Sequence, residues 1–314
     1  MLKLGAHVST ATAGQATANA KGGQAGGLYR AIENGTHLGA RAVQFFGSSP
    51  RQWSVKFPTK GEVDAFLKYR KGSEVSAVYL HASYLVNLAS DNTDLWMKSA
   101  DNLAAHLKIA EMLGADGLIF HVGSAKDGDN GRAVKKVAEG MRLALEAVPG
   151  KVNLILENGA GGGTKIGSDP EEIGRILKLA ESPRAKFCLD TAHIFEAGVI
   201  KAYEPEHIKK LLKGIDQHIG LENLVAMHIN DSKSDFNSHH DRHENLGVGK
   251  IGIEGFRNLA DEKVLRDKAW ILEVPGFDDL GPDRANMEIL ESCFSAESSR
   301  HSGGSALSGK NNVL

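Results

Sequence analysis

Acidic residues and histidines stand at the ends of short apolar runs along this chain. GLIFH ends at His121, VNLILE at Glu157 and KFCLD at Asp190. Buried carboxylates and imidazoles need partners, and a divalent metal ion satisfies several of them at once. Histidine nitrogen with carboxylate oxygen suits zinc, with manganese or iron as alternatives. Six runs end in such a residue: His81, His121, Glu157, Asp190, His228 and Glu273.

Three further candidate ligands lie in adjacent segments. DTAH places His193 three residues after Asp190. DRH places Asp241 and His243 two residues apart, so an extended backbone points both side chains the same way. The set of five histidines and four carboxylates exceeds the needs of one metal and suffices for three if one carboxylate bridges. A single histidine at such a position is more often structural, so the prediction depends on the whole set.

The formal net charge of −2 is not that of a typical nucleic-acid binder, which is usually basic. Three divalent cations against the four carboxylates would leave about two net positive charges at the site. Bound metal ions would therefore give a weakly acidic chain a local field that suits a phosphodiester.

The runs that carry these residues recur at intervals of 33 to 45 residues. The segments between them have helical periodicity, and SDPEE at 168–172 reads as a helix start, with a capping residue followed by proline and acids. Eight strand–helix units predict a (β/α)8 TIM barrel of the α/β class, whose active site lies at the C-terminal ends of the strands. An open doubly wound sheet is the alternative, but it would rarely show eight such units without a dinucleotide fingerprint.

Composition predicts one domain over residues 1–294. The Ala/Gly/Thr-rich stretch at 10–26 reads as a flexible loop, and the polar, Ser/Gly-rich stretch at 295–314 as a disordered tail. No run approaches the roughly 20 apolar residues that span a bilayer. Two cysteines offer no disulfide framework. We therefore expect a cytoplasmic protein with no membrane association.

Longer motifs follow one another along the chain. They include HASYLVNL at 81–88, LENGAGGGTKIG at 156–167, CLDTAH at 188–193, MHINDSKS at 227–234 and DRHENLGVGKIG at 241–252. In this order they resemble the endonuclease IV family, the second family of apurinic/apyrimidinic (AP) endonucleases. The resemblance spans about residues 1–290 and implies a xylose-isomerase-like barrel.

The resemblance also implies a ligand set for three zinc ions per chain, with manganese as an alternative at one site. The first zinc would be held by His81, His121 and Glu157. The second would be held by Glu157, Asp190, His228 and Glu273, and the third by His193, Asp241 and His243. Glu157, as the bridge, and Glu273 are the residues expected to be catalytic. The residues expected to contact DNA are Arg51, Gln52 and Tyr84.

The implied activity is hydrolysis of the phosphodiester bond 5′ to an abasic site in double-stranded DNA. The products would be a 3′ hydroxyl and a 5′ deoxyribose phosphate, and trimming of 3′ ends and a monomeric enzyme are also expected. A metal-dependent sugar isomerase or epimerase is the main alternative, although it would leave His193 and the DRH motif without a role. A non-catalytic DNA-binding barrel is the second alternative.

One segment departs from the family pattern. The loop after the first strand is longer by roughly fifteen residues, and loops at that position lie on the catalytic face of the barrel. We hypothesise that this insertion is flexible and neutral for activity.

Overall fold

Eight parallel strands close into a barrel in the computed structural model, which describes residues 1–11, 27–126 and 128–295. The strands are β1 (Lys3–His7), β2 (Ala42–Phe46), β3 (Ala77–His81), β4 (Gly117–His121), β5 (Asn153–Glu157), β6 (Ala185–Asp190), β7 (Leu224–His228) and β10 (Ala269–Leu272). β1 pairs with both β2 and β10, which closes the ring. The predicted barrel is confirmed, and β3 to β7 end at the predicted residues, whereas β10 ends one residue before Glu273.

Most of the helices cover the outside of the barrel, and one short helix instead carries His193 at the mouth. The helices are α1 (Arg30–His37), α2 (Lys60–Lys71), α3 (Thr93–Met112), α4 (Asn130–Ala147), α5 (Pro170–Leu179), α6 (Thr191–Glu196), α7 (Pro205–His218), α8 (Ile253–Ala260) and α9 (Arg284–Ser295). Helix α5 starts as predicted, because the Asp169 side chain accepts hydrogen bonds from the backbone N–H groups of Glu171 and Glu172. None of the described helices is long and apolar enough to cross a membrane.

Side chains alternate between two hydrophobic layers along each strand. Val43, Phe45 and Leu80 belong to the layer between barrel and helices, whereas Ala42, Tyr79 and others fill the barrel interior. The residues at the strand ends lie two or four positions beyond the residues that fill the barrel interior. Because side chains alternate along a strand, they point to the same side of the sheet as those interior residues. The alternation therefore turns the last side chain of each strand into the mouth of the barrel.

A small antiparallel sheet stands above the barrel, where β8 (Asp231–Ser232) pairs with β9 (His243–Glu244). This pairing folds the DRH segment back over the mouth. The segments 10–26 and 295–314 lie, apart from Thr10, Ala11 and Ser295, outside the described residues. Their predicted flexibility stays a prediction.

Candidate metal centre

All nine predicted ligands lie together at the C-terminal mouth of the barrel. Five of them are buried there: His81, Glu157, Asp190, His193 and His228. The mouth opens as a cavity of about 370 Å³. Its walls include the following predicted site residues: His81, Tyr84, His121, His193, Asp241, His243 and Glu273.

Glu157 occupies the centre of this cluster, and its two carboxylate oxygens face different histidine pairs. Oε2 lies 3.3 Å from His81 Nε2 and 3.6 Å from His121 Nε2. Oε1 lies 2.9 Å from His228 Nδ1 and 3.4 Å from His193 Nδ1. Burial opposes ionisation, but His121 and His228 outweigh it and hold the pKa of Glu157 well below its usual range. The carboxylate is therefore charged, with one oxygen on each side.

Two groups of ligand atoms share Glu157. His81 and His121 form the first group with it, and Asp190, His228 and Glu273 form the second; within each group the ligand atoms lie within 4.8 Å of one another. His228 Nδ1 lies 3.2 Å from Glu273 Oε2. Burial of Glu273 is likewise outweighed by His228 and His7, which hold the pKa of this carboxyl well below its usual range. Both groups have the composition predicted from the sequence.

A third group forms around His193 and His243, whose Nε2 atoms are 3.3 Å apart. Asp241 Oδ1 lies 3.2 Å from the first nitrogen and 3.5 Å from the second. Asp190 also lies close to these two histidines, 3.7 Å from a ring nitrogen of each, so it stands between the second and third groups. The prediction gave Asp190 to the second group alone.

The donor set fits divalent metal ions. His193 and His243 face the backbone carbonyl oxygens of Asn158 and Glu273 with their Nδ1 atoms, and a carbonyl oxygen only accepts, so each neutral ring carries its proton on Nδ1. Both Nε2 atoms then present lone pairs to one another across 3.3 Å. A cation between them satisfies every lone pair. Nitrogen and oxygen donors suit zinc. Cys188 belongs to none of these groups, and burial raises the pKa of its thiol to about 11.

Two buried carboxylates hold the loop that carries Asp241 and His243. Glu196 Oε1 accepts from Ser232 Oγ at 2.7 Å and from the backbone N–H of Arg242 at 3.2 Å. Asp231 accepts backbone N–H groups of the segment 247–252. These contacts explain why the HINDSKS and LGVGKIG motifs occur together, since the carboxylate of one organises the turn of the other.

Gln44 was not among the predicted site residues. Its side chain is fully buried in β2 and contacts both His228 and Glu273. A signal was present in the sequence, because Gln44 is the polar residue of the run AVQFF. It lies two positions before the end of that run, so its side chain points to the same side as the strand-end residue.

The three residues expected to contact DNA lie at the rim of the mouth. Arg51 and Gln52 are exposed in the loop after β2, and the Tyr84 side chain is 58% exposed. The Tyr84 ring packs edge-on against Phe46, with centroids 5.3 Å apart. Ser83 Oγ donates to the Pro50 carbonyl at 2.8 Å, which joins the two loops.

Comparison with known proteins identifies the family. A sequence model described as "Xylose isomerase-like TIM barrel" matches residues 32–293. "Probable endonuclease 4" of Halothermothrix orenii is 34% identical over 290 residues, covering 92% of this chain and 99% of that protein. The chain belongs to the endonuclease IV family. "Endonuclease 4" of Thermus thermophilus is 37% identical over 268 residues, covering 84% of this chain and 92% of that one.

The fold agrees with this assignment. A crystal structure of endonuclease IV from a second strain of Thermus thermophilus matches with a TM-score of 0.78 at 33% identity, covering 93% of this chain and 99% of that one. The predicted resemblance to endonuclease IV is thus confirmed, and the chain is a nuclease of this family. Membership of this family excludes the two alternative functions, a sugar isomerase or epimerase and a non-catalytic DNA-binding barrel. The roles of individual residues stay predictions.

Proposed function

We propose that this endonuclease IV homologue cleaves double-stranded DNA at abasic sites in repair. It hydrolyses the phosphodiester bond 5′ to the lesion, leaves a 3′ hydroxyl and a 5′ deoxyribose phosphate, and trims blocked 3′ ends by the same hydrolysis. The observation that carries the proposal is the position of Glu157, whose two oxygens face separate groups of ligands inside an endonuclease IV barrel.

Three zinc ions per chain are the proposed cofactors, with manganese as a substitute at one site. His81, His121 and Glu157 would hold the first, and Glu157, Asp190, His228 and Glu273 the second. His193, Asp241 and His243 would hold the third. When bound, such ions lower the pKa of water from 15.7 to about 7 and stabilise charge that develops on phosphate oxygens.

The side chains of the mouth set the charge of the site. Four carboxylates contribute negative charge, so the third group decides whether the loaded mouth attracts phosphate: two divalent ions only neutralise the carboxylates, and a third makes the mouth positive. Asp241 and His243 therefore support a nuclease more than a sugar isomerase, which needs one or two metals and leaves them without a role.

Arg51, Gln52 and Tyr84 are proposed to contact DNA at the lesion. The exposed Tyr84 ring stands at the rim, where an aromatic surface can fill the space left by a missing base. A nucleotide without a base has no pair to break, so turning it out of the helix costs less free energy than at an intact site. Duplex DNA with an abasic site is thus the proposed substrate.

A cytoplasmic monomer is the proposed form of the enzyme. Cys188 and Cys293 are buried free thiols, which suits a reducing compartment. Analytical ultracentrifugation of the zinc-loaded protein tests the monomer, and a sedimenting dimer would contradict it.

The test of function uses a fluorescent duplex with one abasic site, incubated with the protein before and after removal of zinc. The proposal requires chelator-sensitive incision 5′ to the lesion, a 3′ end that a polymerase extends, and no incision of the intact duplex. His243→Ala should lower cleavage, whereas His218→Ala, at the end of α7, serves as a control outside the cluster. A protein that holds three zinc ions and leaves abasic DNA uncut would contradict the proposal.

A further inference from the structure

Gln44 is a buried amide in an otherwise apolar strand. It lies in the middle of β2, pairs with His7 on β1 and Tyr79 on β3, and exposes none of its surface. A buried amide that lacks hydrogen bonds costs free energy, so its partners are informative.

The amide contacts three polar side chains at the mouth. Gln44 Oε1 lies 2.8 Å from His228 Nε2. Gln44 Nε2 lies 2.5 Å from Glu273 Oε1 and 3.0 Å from His7 Nδ1. Glu273 and His228 both belong to the second ligand group, so one amide joins two ligands that come from different strands.

Glu273 determines which way this amide points. An ionised carboxylate only accepts hydrogen bonds, so the Gln44 NH₂ group must face Glu273. The Gln44 carbonyl oxygen then faces His228, and the imidazole must present its Nε2–H to that oxygen. In a neutral ring this leaves the lone pair on Nδ1, the atom that lies 2.9 Å from Glu157 Oε1 and 3.2 Å from Glu273 Oε2.

We propose that Gln44 is a positioning residue that fixes the tautomer of His228 and the orientation of Glu273 for one metal ion. The inference rests on the proposed function only in that the second ligand group holds a divalent ion. Partners of this kind outside the ligand set contribute about ten- to hundredfold to metal affinity in other proteins. Without Gln44, His228 can protonate either nitrogen and Glu273 loses its hydrogen-bond donor.

The first experiment uses the unaltered protein, loaded with zinc and labelled with ¹⁵N-histidine. Long-range ¹H–¹⁵N correlation spectra should show His228 protonated at Nε2 and metal-bound at Nδ1, with assignment by comparison with His228→Gln. A proton on Nδ1 of His228 would overturn the proposal, and this result does not depend on whether any Gln44 variant folds.

The second experiment compares Gln44→Met with the unaltered protein. The apolar side chain has similar length and removes all three contacts. Competition with a fluorescent zinc chelator should show one zinc ion bound about ten- to hundredfold more weakly. The substitution should change the melting temperature of the metal-free protein by much less than zinc binding raises it. A residue with only a structural role would not give this combination of weakened zinc binding and a nearly unchanged metal-free protein.

Asn102→Leu is the matched control, because Asn102 is a buried amide on α3 whose side chain donates a hydrogen bond to the Trp53 carbonyl, outside the ligand groups. It should leave zinc affinity unchanged. Unaltered zinc affinity in Gln44→Met would refute the positioning role. No DNA enters either measurement, so a protein that fails to cut abasic DNA would count against the proposed function and leave this result standing.

Discussion

The backbone N–H of Tyr84 donates a hydrogen bond to the carbonyl oxygen of Pro50, 3.1 Å away. The bond joins the loop after β3 to the loop after β2, and Arg51 is the next residue along the second loop. Lys98 lies over the Trp53 ring at 4.6 Å, and Asn102 donates to the Trp53 carbonyl, so the loop after β2 is also tied to α3. Tyr84 and Arg51, which are proposed to contact DNA, are therefore held together as one preformed surface.

Replacing Tyr84 with alanine should weaken discrimination between abasic and intact DNA more than it changes metal content. The exposed ring contributes surface to the lesion but no ligand atom, so zinc should stay at the level of the unaltered protein. Binding to both duplexes and zinc per chain are the measurements. Tyr69→Ala is the control, a similarly exposed tyrosine on α2. Loss of zinc in Tyr84→Ala would show that Tyr84 is structural.

Glu157→Gln should abolish cleavage. The glutamine amide keeps the shape of the side chain but removes the negative charge that four histidines face. Its oxygen can still accept a hydrogen bond or bind a metal ion, whereas its NH₂ group cannot. We expect kcat to fall by about three orders of magnitude, equivalent to about 4 kcal/mol. Single-turnover cleavage of abasic DNA at saturating zinc measures this, and near-normal turnover would contradict the bridging role.

His106 should make the fold sensitive to acid. It is fully buried on α3, and neither ring nitrogen has a hydrogen-bond partner among the described residues. Burial, with His81 nearby, lowers the pKa of His106 to about 4, against about 6.5 in an unfolded chain. The unfolded state therefore binds the proton first. The contribution of neutral His106 to the free energy of unfolding is fully present above pH 6.5 and is lost as the pH falls from there towards 4.

His106→Leu should remove this loss, which is on the order of 3 kcal/mol over that range. Urea unfolding of both metal-free proteins between pH 8 and pH 4.5 measures the difference, since the histidines of the mouth titrate in both and cancel. Parallel pH profiles for the two proteins would contradict the assignment.

Deletion of residues 11–25 should change cleavage of abasic DNA by less than about tenfold, because additional length in a flexible loop, as predicted for this segment, has a small free-energy cost. The measurement is kcat/KM for the deletion variant beside the unaltered chain. A larger change in either direction would mean that the insertion takes part in substrate binding.

Strand ends were predictable because two signals coincide in them. Most of the apolar runs stop at a charged residue or histidine, and the two-residue period of a strand places that residue inside the barrel. His81, His121 and Glu157 could be found from this alone. Gln44 carried only the second signal, because it has the alternation of the interior side chains but lies within its run, where an uncharged amide looks like a tolerated polar residue until its partners are known.

The sequence could not predict fully which ligand belongs to which group, because that division depends on three-dimensional packing. Asp190 lies close to the third group because α6 begins directly after it and turns His193 back towards the same oxygen atoms. Asp231 and Glu196 bind backbone N–H groups, which leave no trace in the sequence of their partners. Such roles appear only when the chain has folded.

The last strand closes the ring, because β10 inserts between β1 and β7 and is followed directly by Glu273. A nascent chain leaving the ribosome therefore carries eight of the nine proposed ligands before the second group is complete. Any fragment that stops before residue 269 lacks Glu273 and therefore has an incomplete second group, however well its earlier strands have paired. Under the proposed ligand assignment, full zinc content would report that the barrel has closed, and a chain truncated before Glu273 would be distinguished by an incomplete complement of metal.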